Sequence, residues 1–367
     1  MKKRVAAVIT QYWLNSHADV IISRLLGELG YEPQVELVAM YVEQVTDRDL
    51  SHELSAKHGV PICATIEEAV AWGAPERKID GIVVIGEHGD YPWNEKQQHL
   101  YPRLRFMQET LAAMECHGIR VPIFLDKHFS YDNGDARWIY ERVKSRGIPF
   151  MAGSSIPYTD YVPDFDRSFL QGGRTFFVVS HGGHESYGFH GLEVLQVLAE
   201  QRRGAETGVA SVHALAGDEM WQAMDRAEWP EALMMNALAL EPELSGRHPR
   251  YECPNPALFV VAYKDGTMGY VAQLDKFATR WSFAVQEHGD AYIAAYCNTG
   301  QERPYSHFTR LTELIEEMIL YGTPPCPIER NLLTTYLINT AMESLYQGRP
   351  LSLDELGVAY DPRESYS

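Results

Sequence analysis

Through the first 150 residues, short apolar runs alternate with stretches whose apolar residues recur every three or four positions. The runs Arg4–Ile9, Glu36–Tyr41, Gly81–Ile85, Pro122–Leu125 and Pro149–Ala152 predict strands, the Gly81–Ile85 run one buried on both faces. Between them, His17–Leu29, Asp49–His58, Ile66–Trp72, Leu100–His117 and Asp132–Arg146 predict helices. Gly59, Gly118 and Gly147 follow three of these, at the position where glycine closes a helix. Strands separated by helices at this spacing predict a parallel, doubly wound sheet. Ligands of such a sheet sit at the carboxyl ends of its strands.

The pattern changes after about residue 155. One helix, Leu192–Gln201, leads into short strands of alternating character: Val209–Leu215, Leu258–Tyr263, Met268–Gln273, Ser282–Gln286 and Ala291–Cys297. Lys264-Asp265-Gly266 is a hairpin signal between two of them. Helices Phe308–Tyr321 and Pro327–Gln347 follow. The expected fold class is α/β: a Rossmann-like domain over residues 1–153, then an α+β domain over 154–367 with an open antiparallel sheet. A last strand or helix is expected to pack back on the first domain.

The net charge of −18 argues against nucleic acid or an anionic membrane as partner, because phosphates would be repelled. The five cysteines are scattered and form no CxxC pair, so neither a disulfide framework nor a cysteine zinc site is expected. The apolar run Val5–Ile9 is too short for a signal peptide, and no stretch reaches the length of a membrane span. The expected location is cytoplasmic.

One segment is unlike a core. "HGGHESYGFH", residues 181–190, packs His181, His184, Glu185, Tyr187 and His190 into ten positions with three glycines. Two further strand ends carry titratable residues: Glu87 and His88 after Ile85, and Asp126, Lys127 and His128 after Leu125.

The segments "HGVPICATIEEAV" (58–70), "VPIFLDKHFS" (121–130), "RGIPFMAGSSIPY" (146–158), "YGFHGLEVLQVL" (187–198) and "LSLDELGVAY" (351–360) occur in an order that resembles the Gfo/Idh/MocA family (glucose–fructose oxidoreductase, inositol dehydrogenase). The resemblance implies that Lys127 stands where the family has the lysine of Glu-Lys-Pro, and His190 where it has the histidine of Asp-x-Gly-x-His-x-x-Asp. Ser186 and Glu193 replace the two aspartates of that motif. It also implies one pocket shared by Lys127 and His190, a sugar- or polyol-like substrate, and a dimer or tetramer formed through the outer face of Leu258–Gln273.

The cofactor side departs from the family. The turn after the first strand, Thr10-Gln11-Tyr12-Trp13-Leu14-Asn15-Ser16-His17, contains no glycine, although a pyrophosphate needs close backbone approach there. Met40-Tyr41-Val42 ends the second strand, with Glu43 displaced from the ribose-binding position. NAD(P) is therefore doubtful; if a nucleotide binds, Asn15, Ser16 and Glu43 are the candidates. The leading expectation is a metal-assisted, non-redox enzyme: a lyase, isomerase or hydrolase. It would hold a divalent Zn, Mn or Fe on His128, His181, His184 and Glu185, because histidine nitrogen and carboxylate oxygen suit such ions. Lys127 and His190 would handle protons, while Glu87, His88, Asp126 and Tyr187 would bind substrate. The alternative is an NAD(P)-dependent oxidoreductase with an atypical phosphate turn, and a second alternative is a non-catalytic binding or assembly protein. His17 is read as a first-turn surface residue, and His99 and His307 as structural.

Overall fold

The computed structural model describes residues 1–242, 246–300 and 302–362. The first half builds a six-stranded parallel sheet from β1 (Lys3–Ile9), β2 (Val35–Val42), β3 (Ile62–Cys63), β4 (Gly81–Ile85), β5 (Ile123–Asp126) and β6 (Phe150–Gly153). Their spatial order is β3-β2-β1-β4-β5-β6, so the direction of winding reverses between β1 and β4. The crossovers are α1 (His17–Leu25), α2 (Ser51–His58), α3 (Ile66–Val70), α4 (Arg103–Cys116) and α5 (Asn133–Ser145). All of β4 and β5 is buried, as expected of strands covered on both faces. α1 is shorter than its apolar pattern suggests: Gly27 and Leu29 take positive φ and end it. Asp132 caps α5 by accepting from the Asp135 N–H.

The second half contains β7 (Tyr161–Val162), β8 (Thr175–Ser180), α6 (Ser186–Ala199), β9 (Val209–Ala216), α7 (Asp218–Asp225), α8 (Glu231–Leu238), β10 (Pro256–Tyr263), β11 (Met268–Leu274), β12 (Ser282–Gln286), β13 (Tyr292–Cys297), α9 (His307–Tyr321), α10 (Ile328–Gln347) and β14 (Leu351–Ser352). Its eight strands are ordered β14-β9-β10-β11-β8-β12-β13-β7. The β10–β11 hairpin turns at Gly266, with φ +83°. The sheet is mixed rather than purely antiparallel, because β8 lies parallel to β11. β8 (TFFVVS) is an unbroken apolar run with no polar alternation to mark it.

The outer face of β10–β11 is not a free surface for a partner copy. Leu258, Tyr270 and Ala272 there pack with Met220, Trp221, Leu233 and Met234 of α7 and α8. The opposite face packs on α6 and α10 through Phe259, Val271, Leu192 and Leu337. α9 sits against α1 and the first sheet through Phe308, Leu311, Ile315 and Met318. No helix among the described residues is long and apolar enough to cross a membrane.

Candidate active site

A cavity of about 690 Å³ opens between the two sheets. The carboxyl ends of β4 and β5, the N-termini of α1, α6 and α9, and the start of β12 bring residues to its wall. It lies where a doubly wound sheet gathers ligands.

Lys127 leaves β5 with φ +71°, while its N–H and carbonyl both bond Gly153 at 3.0 Å. A non-glycine residue in this left-handed region costs roughly 1 kcal/mol; the two bonds to β6 hold it there. Its Nζ lies 2.6 Å from His190 Nε2 and 3.6 Å from Glu87 Oε1. α6 starts at Ser186, earlier than its apolar period suggests, so His190 belongs to its first turns. Glu193 follows three residues on, its Oε2 3.7 Å from His190 Nδ1. Ser154 donates to Glu193 from Oγ (2.5 Å) and from its N–H (3.2 Å). A Cβ at Gly153 would lie 2.2 Å from Glu193 Oε1, so the strand end needs glycine. Burial raises the Glu193 carboxyl to about 7, against the opposing Ser154 bonds and the charge of Lys127. Burial and the Lys127 charge hold His190 well below the usual histidine range, so its imidazole is neutral near pH 7.

Glu87 follows β4 and accepts from Arg103 Nη2 at 2.8 Å. Burial alone would raise it, but Lys127 and Arg103 hold it well below the usual carboxylate range. Asp126, fully buried, accepts from His17 Nδ1 at 2.8 Å. His17 therefore faces the cavity from α1 rather than lying on the surface. His88 has φ +67° and packs on Trp13 with ring centres 4.9 Å apart. Burial pushes it down to about 4, and it lines the cavity.

Of the four expected metal ligands, His128 and Glu185 meet, but the four do not gather into one donor cluster among the described residues. His128 is buried between Arg103 (3.2 Å) and Glu185 (3.5 Å). His181 packs on Trp281, ring centres 4.4 Å apart, and burial pushes it down to about 4. His184 turns outward and donates to the Asn255 carbonyl at 3.1 Å. Among the described residues, the group with three donors close enough for one ion is Glu67, Cys116 and His117, on α3 and beside α4; none of these lines the cavity. Of the "HGGHESYGFH" segment, His181, Glu185, Tyr187 and His190 line the cavity. Gly182 supplies the turn with φ +71°.

The nucleotide candidates are also placed. Asn15 lines the cavity with φ +69°, the backbone role a glycine would play. Ser16 caps α1 by accepting from the Asp19 N–H at 3.1 Å. Glu43 lies outside the cavity and accepts from Tyr91 Oη at 2.8 Å and from Arg105. Trp281, His99, His307 and Ser154 line the cavity as well. They come from distant parts of the chain, and no local pattern marks them.

No protein-family model matches this chain, and no curated protein matches it in sequence. Solved structures do match over nearly its whole length. GenD2 from gentamicin A biosynthesis, in complex with NAD, aligns with TM-score 0.63 at 14% identity, covering 96% of this chain and 97% of that one. A putative myo-inositol dehydrogenase from Sinorhizobium meliloti 1021 gives 0.60 at 14% identity, covering 96% and 100%. Scyllo-inositol dehydrogenase from Lactobacillus casei, with bound NAD(H) and scyllo-inositol, gives 0.61 at 11% identity, covering 96% and 99%. With the dispersal of the four donors, these likenesses overturn the expectation of a metal-assisted lyase, isomerase or hydrolase. They also overturn the choice of a transition metal over NAD(P) as cofactor. The chain has the full-length, two-sheet fold of the Gfo/Idh/MocA-type dehydrogenases that its sequence resembles.

Proposed function

We propose that the protein is a nicotinamide-dependent oxidoreductase that interconverts a secondary alcohol and a ketone on a polyhydroxylated small molecule. The observation that carries this reading is the Lys127–His190 contact of 2.6 Å at the carboxyl end of β5, inside the cavity. The neighbours' names supply the reaction class.

The chain offers a dinucleotide two fitting features. The N–H groups of His17 and Ala18, in the first turn of α1, have no intrahelical acceptor, and a helix start of this kind favours an anion. Asn15 gives the turn before it the left-handed backbone, and Arg303 reaches its Oδ1 at 3.2 Å. The adenosine end must displace side chains: Tyr91 engages Glu43, and Gln44 exchanges bonds with the Asp90 backbone at 2.9 and 3.2 Å. Bound there, the nicotinamide would supply hydride transfer at the carbinol carbon.

The chain's own residues handle the proton. Lys127 and the neutral His190 meet the reacting hydroxyl, and a hydroxyl proton accepted at His190 has Glu193 beside its other nitrogen. A buried carboxyl with a value of about 7 suits general acid–base work near neutrality.

The test is absorbance at 340 nm with NAD or NADP and a panel of inositols and aldoses. Reduction of either nucleotide by wild type, lost in Lys127→Ala, supports the reading. Failure of both nucleotides to bind in calorimetry would overturn it.

A further inference from the structure

Two aromatic groups line the main cavity. Trp281 stacks on Tyr187 with ring centres 5.7 Å apart and planes 6° from parallel, and it also packs on His181. Trp93 stacks on His99 at 4.3 Å and 15°, and His99 packs on Tyr101 at 4.1 Å. The loop carrying Trp93 is tied by a bridge to His99 and by the Asn94 and Gln98 bonds, so the indole is held although 61% exposed.

A second cavity of about 400 Å³ shares Trp93, Glu185 and Ser186 with the first. Its remaining wall includes the carboxamide residues Asn94, Gln97 and Asn255, and His184. Among the described residues, Lys127 is the one lysine or arginine lining either cavity, and it is committed to His190 and Glu87.

We infer that the substrate is a neutral glycoside of at least two sugar units. The reacting ring occupies the main cavity. The next unit crosses Trp93 into the carboxamide-lined cavity beside Glu185. Flat aromatic faces suit the C–H face of a pyranose, and carboxamides suit its hydroxyls, each group offering both donor and acceptor. A phosphorylated or nucleotide-linked sugar is disfavoured, because the walls offer Glu87 and Glu185 but no uncommitted cation. The inference rests on the proposed reading of the main cavity as a substrate site.

The test uses binding, so it does not depend on turnover. Saturation-transfer NMR on the full-length protein, without cofactor, compares glucose, methyl glucoside, maltose, cellobiose, lactose and glucose 6-phosphate. The expected result is at least one disaccharide binding about tenfold more tightly than glucose, with glucose 6-phosphate no tighter than glucose. In Trp93→Ala, checked for folding by circular dichroism, that ratio falls at least threefold. Asn255→Ala gives a second, milder reduction. Equal binding of glucose and all disaccharides, tighter binding of the phosphate, or an unchanged ratio in Trp93→Ala would overturn the inference. Disaccharide binding without nicotinamide reduction would sink the redox reading alone; reduction by monosaccharides with no disaccharide advantage would sink this one alone.

Discussion

Lys127 and Glu193 play different parts, and their variants separate them. Lys127→Ala leaves the neutral His190 imidazole in place but removes the partner that orients it. Its kcat is expected to fall at least about 100-fold, while the melting temperature moves little; comparable loss of both would count against a catalytic role. Glu193 is titratable near the working pH. Under the proposed reading, a proton taken at His190 during alcohol oxidation passes to the ionised Glu193 carboxylate, so the rate should rise with pH through about 7. Glu193→Gln should remove that limb. Stability has the opposite sign. Folding raises this carboxyl from 4.5 to about 7, so its stabilising contribution is full below pH 4.5 and is lost as pH rises through 7. Relative to Glu193→Gln, the wild type should lose about 2–3 kcal/mol between pH 4 and pH 9, measured by urea unfolding at each pH.

At the scale of the element, α6 shows why "HGGHESYGFH" carries its glycines. A Cβ at Gly191 would lie 2.5 Å from Val271 Cγ1, and one at Gly188 2.7 Å from the Phe259 ring. The helix must sit close on β10 and β11 to present His190 to the cavity. Gly191→Ala should therefore destabilise by about 1–3 kcal/mol through overpacking. It should also lower kcat, because α6 is displaced from Lys127. Chemical denaturation with parallel kinetics checks both, and unchanged kinetics would mean that the helix accommodates the methyl without moving. The element shows as well where sequence patterning falls short. Apolar period gives Leu192–Gln201, but the polar first turn before it is helical too, closed by backbone bonds such as Phe189 N–H to the Glu185 carbonyl at 3.0 Å.

Across the whole molecule, the proposed dinucleotide site would share its ground with the loop between β4 and α4. Tyr91 holds Glu43, the acid nearest the end of β2. Tyr91→Phe removes that bond and should strengthen NAD binding by about tenfold, as expected for a hydrogen bond to a charged acceptor. Calorimetric titration of both proteins tests it. Weaker binding in the variant would show that Tyr91 contacts the nucleotide rather than blocking it. Saturating nucleotide should raise the melting temperature of the wild type by a few degrees through preferential binding to the folded state.

The sequence by itself determined the alternation that makes the first sheet. Gly81–Ile85 is a strand with the bounds its apolar run predicts, and α5 lies within the predicted Asp132–Arg146. Such features depend on neighbours within a few positions, where period and capping chemistry act. The resemblance also brought Lys127 and His190 to one pocket, and the two lie 2.6 Å apart. What only the tertiary structure decided depends on contacts between distant residues. His17 meets Asp126 across 109 positions, and Trp281, just before β12, lies against Tyr187 of α6. The histidines of one short segment part company because only His190 lies on α6, while His181 and His184 sit in the loop before it, which turns at Gly182 with φ +71°. His190 therefore reaches Lys127, while His184, before the helix, turns to Asn255. A metal site read from composition assumes that clustered donors point to one place; backbone geometry brings Glu185 to His128 but sends His181 to Trp281 and His184 to Asn255.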